Sequence, residues 1–256
     1  MEHFFAAYHT DVGIKKKTNQ DSLLLQVASD GNREVLLAAV CDGMGGMEKG
    51  ELASATGVRA FSDWFCKVYL PKVENQTSES VFSQWKELLR EINTKMIVYG
   101  ERSHIQIGTT VTAVLLSSDG TYLAEHVGDT RIYRVSSRIE QMTEDHTLVA
   151  REVRRGKMTA WQAEHDARKN VLLQCIGVNE YFDPQFLQGR LRRGEELLLC
   201  SDGFRHRVSD EEIRKAVSPD QMDDEDTMKQ TLVQLVEQNK ERQETDNISA
   251  ILIKLR

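Results

Sequence analysis

The feature that most constrains the fold is a series of short apolar runs separated by turn residues. Such runs are typical of β-strands, because Gly, Asp and Asn between them accept the backbone angles of tight turns. The sequence predicts strands over residues 4–8, 22–27, 35–41, 109–116, 122–127, 131–135, 185–191, 196–200 and 248–255. We expect the three between 109 and 135 to form a meander, with turns at 118–120 and 128–130.

Two long segments between these strands have helical rather than strand periodicity. The first, 52–70, places Val58, Phe61, Phe65 and Val68 on one face, and Pro71 is expected to end it. The second, 79–99, is expected to end at Gly100, and its apolar face comprises Phe82, Trp85, Leu89, Ile92 and Met96. Two later helices are predicted over 209–217, with a capping box of Ser209 and Glu212, and over 226–242, with Met228, Leu232, Leu235 and Val236 inside. Short turns between strands and helices in pairs favour an α+β fold with antiparallel sheets over a doubly wound parallel one.

Composition limits the class of protein. The chain has 256 residues, 40% of them hydrophobic, and its 33 Lys and Arg against 40 Asp and Glu give a net charge of −7. This balance argues against a general nucleic-acid binder, and no apolar run approaches the roughly 20 residues that cross a bilayer. The N-terminus lacks a secretory pattern, so we expect a cytoplasmic protein without a membrane partner. The four cysteines are too scattered to predict disulfides or a zinc ribbon.

Aspartates stand at the ends of several predicted strands. Asp42 and Asp202 each follow an apolar run and precede Gly, and Asp129 follows Gly at the end of another run. Asp21 and Asp246 stand just before two further strands. Asp and Gly are common turn formers, which explains one such pair but explains five poorly.

Carboxylates gathered at one edge of a sheet would repel one another unless cations lay among them. Oxygen ligands suit Mg²⁺ or Mn²⁺, and the seven histidines show no zinc-binding spacing. Two such ions, roughly 3.5–4 Å apart, lower the pKa of a bridging water and bind phosphoryl oxygens. The Gly-rich segment 43–46 fits neither a dinucleotide-binding loop nor a P-loop, but leaves the Gly43 carbonyl free to face a metal.

Six segments together resemble the metal-dependent protein phosphatase family, type 2C. They occur in the family's order: Thr10-Asp11-Val12-Gly13 through Asn19-Gln20-Asp21-Ser22, Cys41-Asp42-Gly43-Met44-Gly45-Gly46, Gly108-Thr109-Thr110, Val127-Gly128-Asp129-Thr130-Arg131, Ser201-Asp202-Gly203 and Thr245-Asp246-Asn247-Ile248-Ser249. The Gly-Met-Gly-Gly form is similar to the bacterial branch. The stretch 143–178 resembles the family's flap.

The resemblance implies a four-layer α-β-β-α sandwich, in which residues 1–256 form a single catalytic domain. It implies that Asp42 bridges two Mg²⁺ or Mn²⁺ ions, that Gly43 gives its carbonyl to one, and that Asp202 and Asp246 complete the other. Asp21 would act through metal-bound waters. The bacterial branch further implies a third ion between Asp129 and Asp202.

Two positions depart from the family pattern. Relatives usually place Arg five residues before the first acidic residue to bind the substrate phosphate, and here that residue is Lys16. Lys lacks the bidentate fork of Arg, so weaker phosphate binding is expected. A solvated basic run at 15–17 is the alternative interpretation. Met44 replaces the histidine that eukaryotic relatives use as an acid, so no protein acid is assigned.

Other polar residues have simpler interpretations beside functional ones. His146 and His165 are expected to make structural hydrogen bonds, with catalysis as the alternative. The basic residues of the flap form either a solvated helix face or a docking surface: Arg151, Arg154, Arg155 and Lys157. The acidic run 223–226 is expected at a helix N-terminus rather than at another metal site.

The resemblance thus implies hydrolysis of phosphoserine and phosphothreonine in proteins by a metal-bridging hydroxide, in a monomer that opposes a bacterial Ser/Thr kinase. A pseudophosphatase that only binds phosphoproteins is the alternative, although its need for five carboxylates would be small. A two-metal nuclease is disfavoured by the acidic composition.

Overall fold

Two antiparallel sheets of five strands each form the centre of the molecule. The computed structural model describes residues 3–31, 33–44 and 49–256, so Gly45 and Gly46 of the predicted turn lie outside it. One sheet has the order β1 (Phe4–Asp11), β10 (Ile248–Leu255), β9 (Glu196–Cys200), β6 (Arg131–Val135) and β7 (Ile139–Gln141). The other has the order β2 (Asp21–Ser29), β3 (Glu34–Asp42), β4 (Val111–Ser117), β5 (Thr121–Val127) and β8 (Gln185–Arg190).

The sheets pack face to face, and helices cover both outer faces. β3 shows why: Leu36, Ala38 and Val40 pack in the core between the sheets, whereas Leu37 and Ala39 join the core beneath the helices. A strand that is covered on both faces must be apolar throughout, which explains its continuous apolar run. The predicted α-β-β-α sandwich of the α+β class is therefore confirmed.

Helices flank the sheets in the described part of the chain. They are α1 (Gly50–Trp64), α2 (Ser78–Ser103), α3 (Leu148–Arg154), α4 (Ala160–His165), α5 (Asp202–Arg205), α6 (Asp210–Ala216) and α7 (Glu225–Glu241). The capping box of Ser209 and Glu212 is present at the start of α6. The acidic run before α7 has the expected capping role, since the Asp224 side chain accepts a hydrogen bond from the Thr227 N–H. No helix of this part is long and apolar enough to cross a membrane.

Two helix predictions were wrong in detail. The expected apolar face at Val68 is exposed, because a π-helical turn over Phe65–Tyr69 shifts the register and buries Tyr69 instead. Gly100 does not end α2, which continues to Ser103 and is capped by His104 in the left-handed region (φ 54°). A Cβ at Gly100 would lie 2.6 Å from the Ile105 carbonyl oxygen, so the glycine permits a close backbone approach.

The predicted meander was also wrong. β4 and β5 pair, but β6 lies in the other sheet between β9 and β7, and β7 was not predicted. The chain crosses at Gly128, whose φ of +122° is rare for any other residue and whose Cβ would lie 2.5 Å from Thr110 Cγ2. The crossing places Asp129 between the sheets at their common edge.

Candidate active site

The five aspartates converge at one edge of the sandwich. Asp21 begins β2 and is the register partner of Asp42, which ends β3. Asp202 begins α5 directly after β9, and Asp246 lies just before β10. Burial raises the pKa of Asp42 well above its usual range, and the charges of the other four aspartates raise it further.

Backbone hydrogen bonds fix Asp42 and the glycine after it. The Asp42 N–H donates to Thr110 Oγ1, and the Thr110 N–H donates to the Asp42 carbonyl oxygen, both at 2.9 Å. The Gly43 N–H donates to the Gln20 carbonyl oxygen at 3.0 Å. A Cβ at Gly43 would lie 2.2 Å from the Gly50 carbonyl oxygen, so only glycine fits.

Burial and like charge act together on the cluster. Burial raises the pKa of Asp21 to about 7, and Asp202 and Asp246 contribute in the same direction. Burial, followed by the charge of Asp202, likewise raises the pKa of Asp129 to about 7. Carboxylates in such a setting take up either protons or cations.

The donor set fits Mg²⁺ or Mn²⁺. Within the described part of the chain, both carboxylate oxygens of Asp21 and Oδ1 of Asp202 are buried without a hydrogen-bond partner. The Ser201 and Ser249 hydroxyls lower the pKa of Asp21 but make no well-formed hydrogen bond to it. Among the described residues, no group of three or more acidic, histidine or cysteine side chains is already arranged around one metal position. Mg²⁺ is usually bound by one or two carboxylates and several waters, so the unpartnered oxygens of Asp21 and Asp202 suit it.

Lys16 lies at this cluster rather than in a solvated basic run. Its Nζ is 2.9 Å from Asp246 Oδ1, whereas Lys15 and Lys17 are exposed. Burial lowers the pKa of Lys16, but Asp246, Asp42 and Asp202 outweigh this effect and raise it overall. The Lys16 ammonium is therefore a fixed positive charge beside the carboxylates.

Asn247 ties the Lys16 loop to the turn that carries Asp246. Its Oδ1 accepts from the Gln20 N–H at 2.9 Å, and its Nδ2 donates to the carbonyl oxygens of Val12 at 2.9 Å and Thr18 at 3.2 Å. These three bonds hold the backbone on both sides of Lys16, at Val12 before it and at Thr18 and Gln20 after it. The position of Lys16 is therefore set by the same turn that carries Asp246.

A cleft of about 1270 Å³ opens beside Asp129. It lies between the flap helices α3 and α4 and the segment of α5 and α6, and Asp129 lines it. Arg131 forms a bidentate pair with Asp145, at 2.9 and 2.7 Å, and Arg205 Nη2 donates to the Asp129 carbonyl oxygen at 3.1 Å. Burial raises the pKa of Asp145, but the two arginines outweigh burial and lower it overall.

The two flap histidines make structural hydrogen bonds. His146 Nδ1 accepts from the Gly128 N–H at 3.1 Å, and the His146 N–H donates to the Gly128 carbonyl oxygen at 2.7 Å, so the flap is anchored to the turn of Asp129. His165 is exposed, stacks on Trp161 and bonds to its carbonyl oxygen.

The basic side chains of the flap are paired with acids. Arg154 pairs with Glu144. Three others face Glu152: Arg151, Arg155 and Lys157.

Sequence reasoning missed two residues behind the aspartates. His206 Nε2 is 3.4 Å from Asp202 Oδ2, and His206 Nδ1 is 3.4 Å from Glu244 Oε2. The spacing of His206, four residues after Asp202 and thus one helical turn away, was the available signal. Glu244 offered no signal beyond its position just before Asp246.

This fold and site match a known family. The chain belongs to the protein phosphatase 2C family, whose model matches residues 12–252. It is 33% identical over 213 residues to the protein phosphatase PhpP of Streptococcus pneumoniae, covering 82% of this chain and 83% of the relative.

Solved structures of serine/threonine phosphatases have the same fold as this chain. The serine/threonine phosphatase of S. agalactiae superimposes with a TM-score of 0.85 at 26% identity, covering 99% of this chain and 100% of the other. The catalytic domain of the serine/threonine phosphatase PstP, solved with two manganese ions, has a TM-score of 0.77 at 25% identity, covering 99% of this chain and 98% of the other.

Proposed function

We propose that this protein is a protein serine/threonine phosphatase that requires Mg²⁺ or Mn²⁺. The observation that carries the proposal is the convergence of five aspartates from distant segments, with Lys16 beside them. The family membership and the phosphatases among its relatives support the same activity. No feature of the described residues favours the phosphoprotein-binding alternative.

The aspartates supply the metal ligands in this proposal. Asp42 and the Gly43 carbonyl would hold one ion, Asp42, Asp202 and Asp246 would hold the other together with water, and Asp21 would act through water. A third ion would lie between Asp129 and Asp202. Bound divalent ions supply Lewis acidity and make a nucleophile available from water at neutral pH.

The remaining chemistry belongs to the chain's own side chains. Lys16 binds the phosphate of the substrate, since its ammonium lies beside the carboxylates and an ammonium group can donate up to three hydrogen bonds. Met44 cannot transfer a proton, so no protein acid is assigned to the leaving oxygen. The cleft beside Asp129 accepts the phosphoprotein segment.

The wider setting is also part of the proposal. Residues 1–256 act as a single catalytic domain with a flap over 143–178, as a monomer in the cytoplasm. Its substrates are phosphorylated proteins, and a cognate Ser/Thr kinase supplies them. The manganese ions of the PstP structure support the choice of metal.

Side-by-side hydrolysis of phosphoserine, phosphothreonine and phosphotyrosine peptides with Mn²⁺ tests the substrate class. We expect turnover of the first two and little of the third. Dominant phosphotyrosine turnover would overturn the proposal, as would Mn²⁺ binding without any turnover.

A further inference from the structure

The turns that carry Asp202 and Asp246 come from distant parts of the chain but lie in direct contact. A Cβ at Gly203 would lie 2.1 Å from the Asn247 carbonyl oxygen and 3.4 Å from Asp246 Cβ. Asp202 and Asp246 are thus carried on adjoining turns, and the like charges of their carboxylates disfavour this arrangement. The relative position of the turns must therefore be fixed by other groups.

His206 lies behind Asp202 at the end of α5. Its Nε2 is 3.4 Å from Asp202 Oδ2, and only 14% of its side chain is exposed. Asp202 Oδ1, the other oxygen, is buried and has no hydrogen-bond partner among the residues that the structure describes. The imidazole therefore faces one oxygen of Asp202 and leaves the other available to a ligand.

Glu244 connects the same imidazole to the second turn. Its Oε2 is 3.4 Å from His206 Nδ1, and its side chain is 5% exposed. Its Oε1 accepts from the backbone N–H groups of Thr245 at 2.7 Å and Asp246 at 2.9 Å. Glu244 thus holds the backbone of the Asp246 turn with one oxygen and faces His206 with the other.

We propose that His206 and Glu244 are positioning residues of the metal site, which hold the Asp202 carboxylate and the Asp246 turn in one arrangement. Outer groups that orient metal ligands commonly change metal affinity 10–100-fold when they are replaced. This inference rests on the proposed metal-dependent function. It adds a continuous connection from Asp202 through the imidazole and Glu244 to the Asp246 backbone.

Calorimetric titration of EDTA-stripped protein with Mn²⁺ tests the inference independently of turnover. The variants are His206→Gln, Glu244→Gln and the double variant, which nearly preserve side-chain size. The matched controls are His104→Asn and Glu87→Gln, at exposed positions next to and on α2, outside α5 and the Asp246 turn. Circular dichroism and the melting temperature of the metal-free protein report whether each variant folds.

We expect each single variant to weaken the Kd for Mn²⁺ roughly 10–100-fold, while the controls stay within about twofold. The double variant should lose little more than the weaker-binding single variant, because both residues act through one connection. Folded single variants with a wild-type Kd would overturn the inference, and so would a double variant whose loss equals the product of the single losses. Failure of the wild-type protein to bind Mn²⁺ would instead overturn the proposed function.

Discussion

Buried carboxylates occur in two regions of this molecule, and the two regions differ in their surroundings. At the sheet edge, the charges of neighbouring aspartates raise the pKa of Asp21, Asp42 and Asp129 in addition to the effect of burial. Within the sheets, Glu125 on β5 and Glu196 on β9 are fully buried, and the described residues offer neither a hydrogen-bond partner for its oxygens. Burial is the one cause that raises the pKa of Glu125, and it raises the pKa of Glu196 to about 8, against a lowering by Lys254.

The difference separates a binding site from a tolerated core acid. An isolated buried acid becomes neutral by keeping its proton, at a cost that rises with pH. Clustered acids have shared oxygens that a divalent cation can bind, so a cation replaces the protons. Burial alone therefore does not identify a site, but convergence of several carboxylates does.

Removal of a clustered carboxylate should have the largest effect. Asp42→Asn keeps the size of the side chain but removes the charge that is proposed to bridge two ions. We expect kcat/KM for a phosphothreonine peptide to fall by roughly 10³-fold or more. Glu196→Gln, an isosteric change of an isolated acid, is the matched control and should retain wild-type turnover. Equal losses in both variants would remove the distinction between the regions.

Replacement of Lys16, the positively charged side chain beside the aspartates, should have the next largest effect. Lys16→Ala removes a charged donor to the substrate phosphate, so we expect kcat/KM to fall roughly 10–100-fold. Lys16→Arg adds a bidentate fork and should lower KM relative to the wild type. Steady-state kinetics with a phosphothreonine peptide measures both. A wild-type KM in Lys16→Ala would contradict phosphate binding by Lys16 and favour the alternative that residues 15–17 are only a solvated basic run.

The cluster should also make stability depend jointly on pH and metal. Because the folded pKa values of Asp21 and Asp129 are raised to about 7, the folded state holds more protons than the unfolded state between about pH 4 and 7. EDTA-treated protein should therefore lose stability as pH rises through this range. Mn²⁺ has fewer protons to displace at high pH, so its stabilising shift in Tm should be roughly 10 °C larger at pH 8 than at pH 5.5. Thermal scans at both values check this, and a shift that shrinks with pH would contradict it.

The isolated acid should show a smaller effect that does not depend on metal. The raised pKa of Glu196 means that its neutral form stabilises the fold at low pH and that this contribution is lost as pH rises to about 8. Glu196→Gln stays neutral, so its Tm advantage over the wild type should grow by roughly 5 °C between pH 5 and pH 9. The same advantage should be measured with EDTA and with Mn²⁺. A higher Tm of Glu196→Gln seen only in the Mn²⁺ samples would contradict this and indicate that Glu196 is coupled to the aspartate cluster.

Local pattern predicted most elements of the fold but not the exchange between sheets. The apolar faces of α2 and α7 follow from periodicity alone, and Trp85, Leu89, Leu232 and Leu235 are buried as expected. The passage from β5 to β6 could not be predicted in the same way, because a glycine turn looks alike whether the chain returns to its own sheet or crosses to another. The π-helical turn that exposes Val68 likewise depends on packing against the sheet rather than on local sequence.

The candidate site was likewise predicted from the sequence only in part. Aspartates at strand ends are visible in sequence because strand pattern and residue type coincide, and the structure places the other four close enough to Asp42 for their charges to raise its pKa. The roles of the individual residues as ligands stay predictions. His206 and Glu244 were missed because their connection joins segments that are far apart in sequence and meet only through the pairing of β9 with β10.

The most direct test of the central claim is turnover of a phosphothreonine peptide before and after EDTA treatment, followed by addition of Mn²⁺. If the clustered carboxylates bind the catalytic cations, EDTA should abolish turnover and Mn²⁺ should restore it, whereas Asp42→Asn should stay inactive at the same Mn²⁺ concentration. Full turnover in the presence of EDTA would contradict the claim, and so would an Asp42→Asn variant as active as the wild type.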